Sequence, residues 1–240
     1  MADDKTPIAR RNFLLGAGTA VAASLAVPAE AQQPKDAAVA AAAPAPASEP
    51  ETYLTLTAPE AAFLSAAADT FIPADELTPS GTDCGVVTFI DRQLAGAWGG
   101  GAKMYRSGPF RKGKPEQGYQ LALTPRQFFA AGIVATNEWS RKTYGKDLDR
   151  LAPKERDAAL KELDGGKATL ADFNGKQFFE ALLRITMEGF FADPIYGGNR
   201  NKVSWRMVGY PGLPAVYSTL IEEYRNKRYV VEPQSIADFS

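Results

Sequence analysis

Histidine is missing from all 240 residues. It is the commonest general base and a frequent metal ligand, so its absence removes a set of chemistries at once. A Ser-His-Asp triad, a Cys-His pair, ordinary haem ligation and a histidine-based zinc site are excluded. Cysteine occurs once, at Cys84. One thiol cannot hold an iron–sulfur cluster or supply both thiols of a c-type haem attachment. No phosphate-cradling glycine loop is present. Gly99-Gly100-Gly101 lacks the strand–turn–helix context and the GxGxxG spacing, and reads as a flexible turn. The formal charge is −1, with no basic block beyond the N-terminus, which argues against a nucleic-acid partner. These absences disfavour a self-sufficient redox enzyme.

What is present begins with a targeting pattern. Arg10-Arg11-Asn12-Phe13-Leu14-Leu15 follows a polar start, and an Ala/Gly/Leu/Val run continues to Val27. That run falls short of the ~20 residues a membrane-spanning helix needs. Ala29-Glu30-Ala31 has the small-x-small form of a cleavage site. Arg10, Arg11 and Phe13 resemble a twin-arginine export signal, although Ala9 and Leu15 stand where Ser/Thr and Lys are common. An ordinary secretory signal with two arginines is the alternative, and the low hydrophobicity of the core favours the twin-arginine reading. Residues 1–31 are thus expected to be a signal, and residues 32–51, rich in Ala and Pro, a tether unable to bury enough surface to fold alone.

The remaining chain, 52–240, reads as a single helical domain. Thr57-Ala58-Pro59-Glu60 and Thr124-Pro125-Arg126-Gln127 are capping-box signals. The first opens a helix faced by Phe63, Leu64, Ala67, Ala68 and Phe71, stopped by Ile72-Pro73. A second helix is expected over Val86 to Ala95. The second box opens a long helix to about Tyr144. A charged helix follows from Pro153 to Leu163, then one capped by Asn174 that runs through Phe178, Leu182, Ile185 and Gly189. A last helix is expected near Pro214 to Tyr224. Between Gly96 and Leu123 no period holds. There Gly, Pro, Lys and Arg alternate with Trp98, Tyr105, Phe110 and Tyr119, and a connection of that length is often functional. With no alternating strand, the class is all-α, an irregular helical domain with long aromatic and Gly-rich loops.

Chemistry-bearing residues concentrate in Glu188–Gly212, EGFFADPIYGGNRNKVSWRMVGYPG. Pro194, Gly197-Gly198 and Pro211-Gly212 forbid a regular helix there. Glu188 and Asp193 are the best-placed carboxylates for acid–base work. Five residues apart across a helix end, they could face one cleft; the reading as a surface Glu and a turn Asp before Pro194 is the favoured one. Arg184, Arg200 and Arg206 bracket an aromatic segment. Arg with Tyr and Trp is the make-up of an interface hot spot. It is also what a loop needs if Arg200 ties carbonyls together and Trp205 plugs the core. Cys84, among Thr82, Asp83 and Gly85, leans towards exposure and hence towards a disulfide with another chain.

The EGFFADPIYGGNR…SWRMVGYPG block, the upstream LTAPEAAFLSAAADTFIPAD helix and the GVVTFIDRQLAG helix resemble the gluconate 2-dehydrogenase subunit 3 family, over about Leu54 to Arg225. The resemblance implies an accessory (gamma) chain that is not catalytic by itself and binds no cofactor. It implies a large partner subunit holding FAD and a membrane-associated cytochrome c subunit carrying haem c. Members of the family serve gluconate, 2-ketogluconate, sorbitol, fructose or glucose dehydrogenases. On this reading Phe190, Phe191, Tyr196, Arg200 and Trp205 shape the surface that meets the flavin subunit, Cys84 is the candidate intersubunit thiol, and no residue is assigned to catalysis, cofactor or metal. The complex is expected in the periplasm, attached to the inner membrane through its partners. A stand-alone periplasmic enzyme using Glu188 and Asp193, and a transient export chaperone for a flavoprotein, are the competing readings.

Overall fold

The computed structural model describes residues 52–111, 113–114, 117–214 and 216–239. The expected signal and tether, including Arg10, Arg11 and Phe13, lie outside the described residues.

Six α-helices follow in order: α1 (Ala58–Phe71), α2 (Val86–Ala95), α3 (Pro125–Tyr144), α4 (Pro153–Asp164), α5 (Gly175–Phe191) and α6 (Val203–Val208). Short 3-10 turns connect them, and among the described residues no strand is formed. The class is all-α, as the sequence indicates.

Helix α1 is the centre, touching α2, α3, α4 and α5. Its alanines make this possible. Ala61, Ala66, Ala67 and Ala68 are all buried with Phe63 and Leu64, so neighbours close in on more than one face. The capping signals operate as read. The Thr57 amide donates to Glu60 Oε2 at 2.8 Å. At α3 the box is reciprocal: the Gln127 amide donates to Thr124 Oγ1, and the Thr124 amide to Gln127 Oε1. Asn174 accepts from the Gln177 amide to open α5. Satisfying end amides in this way stabilises a helix by about 1 kcal/mol per cap.

Phenylalanines knit α1, α3 and α5 together. Phe178 is fully buried and lies 6.0–6.2 Å, ring to ring, from Phe63, Phe128 and Phe129. Gly132 on α3 faces it so closely that a Cβ there would sit 2.2 Å from the ring.

Asp91, 2 % exposed on α2, accepts amide hydrogens from Leu54, Thr55 and Leu56 at 2.6, 2.9 and 3.0 Å. A buried carboxylate is tolerated when its lone pairs are filled this way. Asp91 therefore fixes where the chain enters the fold.

The expected last helix is a correction. Only Ser218–Leu220 forms a 3-10 turn, followed by irregular turns. Val216 is 70 % and Ile221 59 % exposed, so the apolar side of that stretch has no core to pack against. A helix this short gains its stability from tertiary packing and does not form without it.

Candidate partner-docking surface

Helix α5 delivers the chain into a loop that runs from Ala192 to Lys202 and then into α6. Its shape is set by Asn199. This residue is fully buried in the left-handed region, at φ 46° and ψ 43°, a conformation Asn tolerates better than most residues. Its Nδ2 donates to the Ala192 carbonyl at 2.9 Å. Its Oδ1 accepts from the Ser204 amide at 3.0 Å and the Ser204 hydroxyl at 2.7 Å. One side chain thus joins the end of α5 to the start of α6. Trp205 completes the closure, donating from Nε1 to the Phe191 carbonyl at 2.9 Å.

Two close backbone approaches dock this loop on its neighbours. A Cβ on Gly198 would fall 2.0 Å from the Gly189 carbonyl oxygen. A Cβ on Gly85, whose φ is +80°, would fall 2.3 Å from the Gly197 carbonyl oxygen. The Arg200 amide donates to the Cys84 carbonyl at 3.0 Å, and its guanidinium reaches Thr88 Oγ1 at 3.4 Å. Partial burial lowers the Arg200 pKa. Arg92 of α2 donates to the Ile195 carbonyl at 3.3 Å.

The C-terminal residues strap over the same loop. The Leu213 amide donates to the Gln234 carbonyl, and the Gln234 amide donates to the Pro211 carbonyl. Asp193 Oδ2 accepts from the Ile236 amide at 2.9 Å. Lys202 pairs with Asp238 at 2.8 Å. That lysine, with the Ser235 amide and hydroxyl, holds the Asp238 carboxyl down at about 2. Arg206 bonds both Glu232 and the Asn201 carbonyl.

The expected interface residues therefore divide. Phe190 and Trp205 are core, at 2 % and 6 % exposure, and Phe191 is half-buried, its ring edge-on to that of Phe190. Arg200 is half-buried and spent on α2. Tyr196 alone of the five stands out, at 50 %. Beside it the surface presents Ile195, at 43 %, and Phe239, at 63 %, brought close because the turn Pro194–Tyr196 packs on the turn Ile236–Phe239. Ile195 and Phe239 were not singled out by sequence reasoning. The Asp193-Pro194 turn signal gave a hint for Ile195, whereas Phe239 reaches the site only through the tail.

The carboxylates are not brought into one reacting pair. Asp193 uses Oδ1 on the Ile195 amide at 3.0 Å and Oδ2 on Ile236. Both oxygens hold backbone. Glu188 lies on the outer side of α5. Partial desolvation raises its pKa, and the nearby Arg184 charge opposes the shift. Among the described residues no cluster of three or more acidic or thiol side chains could hold a metal ion.

Cys84 is a second correction. It is 1 % exposed, and its Sγ lies 3.6 Å from the Pro79 carbonyl. Its polar neighbours misled: Ser80 and Asp83 bond one another, and the Thr82 amide turns to Asp69, while Cys84 points inward with Val86 and Val87. A thiol so placed cannot meet a thiol of another chain unless this corner opens.

The block from α1 through the Ala192–Lys202 loop, the rim loop, and α6 matches the family model for gluconate 2-dehydrogenase subunit 3, over residues 58–212. The chain belongs to the gluconate 2-dehydrogenase subunit 3 family. The match spans all six helices and the whole rim loop. No curated protein and no solved structure gives a significant match. Membership makes this chain an accessory subunit of a dehydrogenase complex, with partner subunits implied.

Proposed function

We propose that this chain is the non-catalytic small (gamma) subunit of a periplasmic, flavin-dependent dehydrogenase complex of the gluconate 2-dehydrogenase type. It stabilises a large subunit that holds FAD, which in turn passes electrons to a membrane-associated cytochrome c subunit. The observation that carries this reading is the division of labour in the rim loop. Asn199, Asp193 and Trp205 spend their polar groups on the chain's own backbone and Arg200 reaches Thr88 Oγ1, while Ile195, Tyr196 and Phe239 face outward on a braced frame. A frame built this way suits docking, because the ordering cost is met before the partner arrives. An exposed aromatic at the middle of such a patch is a candidate hot spot.

The same subunit assists export. A twin-arginine route carries folded proteins, and the sequence, with no histidine and one cysteine, supplies none of the usual haem, iron–sulfur or zinc ligand sets that would call for it. The flavin subunit, docked in the cytoplasm with FAD in place, is the passenger. Two experiments test the parts separately. Tyr196→Asp combined with Phe239→Asp should abolish co-isolation of the flavin subunit while the helical signal is kept; undiminished co-isolation would remove this patch from the interface. Arg10→Lys with Arg11→Lys should leave the flavin subunit in the cytoplasm; its arrival in the periplasm with FAD would end the carrier role.

A further inference from the structure

The connection between α2 and α3 carries a charge pattern that the near-zero net charge conceals. No acidic residue occurs between Asp91 and Glu116. Within that interval the loop presents Lys103, Arg106, Arg111 and Lys114, and among the described residues none of the four takes part in an ion pair. Tyr105 stands among them at 75 % exposure, the most open large hydrophobic side chain among the described residues, with Trp98 at 44 % nearer the base.

The base of this loop is anchored and its crest is not. Trp98 packs on Phe129 at 6.4 Å, and Tyr119 stacks flat on Phe128 at 4.0 Å. Gln177 of α5 donates to the Gly118 carbonyl at 3.3 Å. Among the described residues, backbone hydrogen bonds hold Ala102 and Met104 at one end and Gln117 at the other, with none from Tyr105 to Arg111. A groove lined on the loop side by Gly113, Gln120 and Leu121 is lined on α5 by Lys176 and Glu180, so one acid and one further cation face the loop from the fold.

We infer that this loop is an electrostatic adhesion site for an anionic bilayer surface. Four exposed cations, outside any ion pair among the described residues and near an exposed tyrosine in the chain, match the interfacial chemistry of lipid headgroups, where cations meet phosphates and an amphipathic ring sits at the boundary. An acidic protein face is the poorer fit. A protein interface would have to order this crest, whose backbone is not braced, before its charges could be matched one by one, whereas a layer of mobile headgroups needs no such fixed register. The site lies on a different connection from the rim loop, and it stands or falls independently of the docking of a flavin subunit. It would let the small subunit contribute directly to holding a complex at the membrane.

The test uses the full chain with vesicles rich in phosphatidylglycerol, set beside vesicles of phosphatidylcholine alone. Each cation near an anionic surface strengthens association about fivefold, so Lys103→Gln, Arg106→Gln, Arg111→Gln and Lys114→Gln together should weaken it by roughly two to three orders of magnitude. The N-terminal arginines and apolar run are common to both proteins and cancel in that comparison. Binding should also fall steeply between 0.1 M and 1 M salt, as the screening length drops from about 10 Å to about 3 Å. If the fourfold variant loses its helical signal, Lys103→Gln with Arg106→Gln alone should give about half the loss on a logarithmic scale. Equal binding to both kinds of vesicle, or variants that bind as the parent does, would overturn the proposal. So would variants that keep vesicle binding yet lose the flavin subunit on co-isolation, since the loop would then be a protein interface.

Discussion

Replacing Asn199 by alanine is the sharpest probe of the rim loop. The change removes two acceptor bonds from Ser204 and one donor bond to the Ala192 carbonyl. The site is fully buried, so water cannot repair the loss. Leaving a buried backbone donor or acceptor without a partner costs about 1–3 kcal/mol. Alanine also tolerates the left-handed backbone less well than asparagine, adding roughly 1 kcal/mol. Asn199→Ala should therefore destabilise the fold by about 3–5 kcal/mol. In a domain of this size 1 kcal/mol shifts Tm by about 2–4 °C, so a fall of roughly 10 °C is expected. Thermal and urea unfolding followed by far-UV circular dichroism would measure it. Asn199→Gly relieves the backbone strain but restores no bond, and should recover only the smaller part of the loss. Ser204→Ala removes a single hydroxyl contact and should cost about 1 kcal/mol. A loss below about 1 kcal/mol for Asn199→Ala would refute the reasoning, because an unsatisfied buried amide cannot be that cheap.

Three further outcomes follow from the same geometry. Gly198→Ala places a Cβ 2.0 Å from a backbone oxygen that cannot swing aside, so the loop must shift; we expect a loss of about 2–4 kcal/mol in urea unfolding and weaker co-isolation of any partner. Asp238, held at about 2 against an ordinary 3.8, contributes to the tail's attachment above the ordinary value and loses that contribution as pH falls through about 2. An NMR titration should find its carboxyl still ionised at pH 3, and Lys202→Gln should move the midpoint upward. The Cys84 thiol, 1 % exposed, should resist alkylation in the native state and react promptly in denaturant; rapid native labelling would reopen it as a link to another chain.

How much of this was legible in the sequence depended on whether the determinant was local. Helices α1 to α5 were readable because their signals lie within a turn or two of each end: Thr57 with Glu60, Thr124 with Gln127, Asn174 at the entry to α5. The segment after Pro214 misled because its apolar spacing is helical while no surface remains for it to cover, and absence of a packing partner leaves no mark on a short sequence. Cys84 misled for the converse reason. Its polar neighbours are satisfied by Asp69 and by one another, which a linear reading cannot see.

The rim loop was recognisable as a built element, but its internal assignment was not. Tyr196 and Trp205 look alike as interface candidates, and the burial of Trp205 with its hydrogen bond to Phe191 separates plug from contact. Asn199 was the least visible of all. The run Gly197-Gly198-Asn199 signals permitted left-handed backbone, yet the partners that give the residue its role are seven residues before it and five after. Asp193 and Asp91 show the same lesson for carboxylates. Asp193 looked available for chemistry in isolation, and both are committed to backbone amides: Asp193 to Ile195 and Ile236, Asp91 to Leu54, Thr55 and Leu56.

The central claim is that this chain is a stable subunit built to hold a flavin-bearing partner. Its most direct test is isolation of the native chain from its own cells through an affinity tag, with the mass ratio and the visible absorption spectrum of the product read together. The account predicts one equivalent of a larger chain and the absorption of bound FAD. Recovery of this chain alone and colourless would contradict it, as would substrate turnover by the purified chain that disappears when Glu188 or Asp193 is replaced.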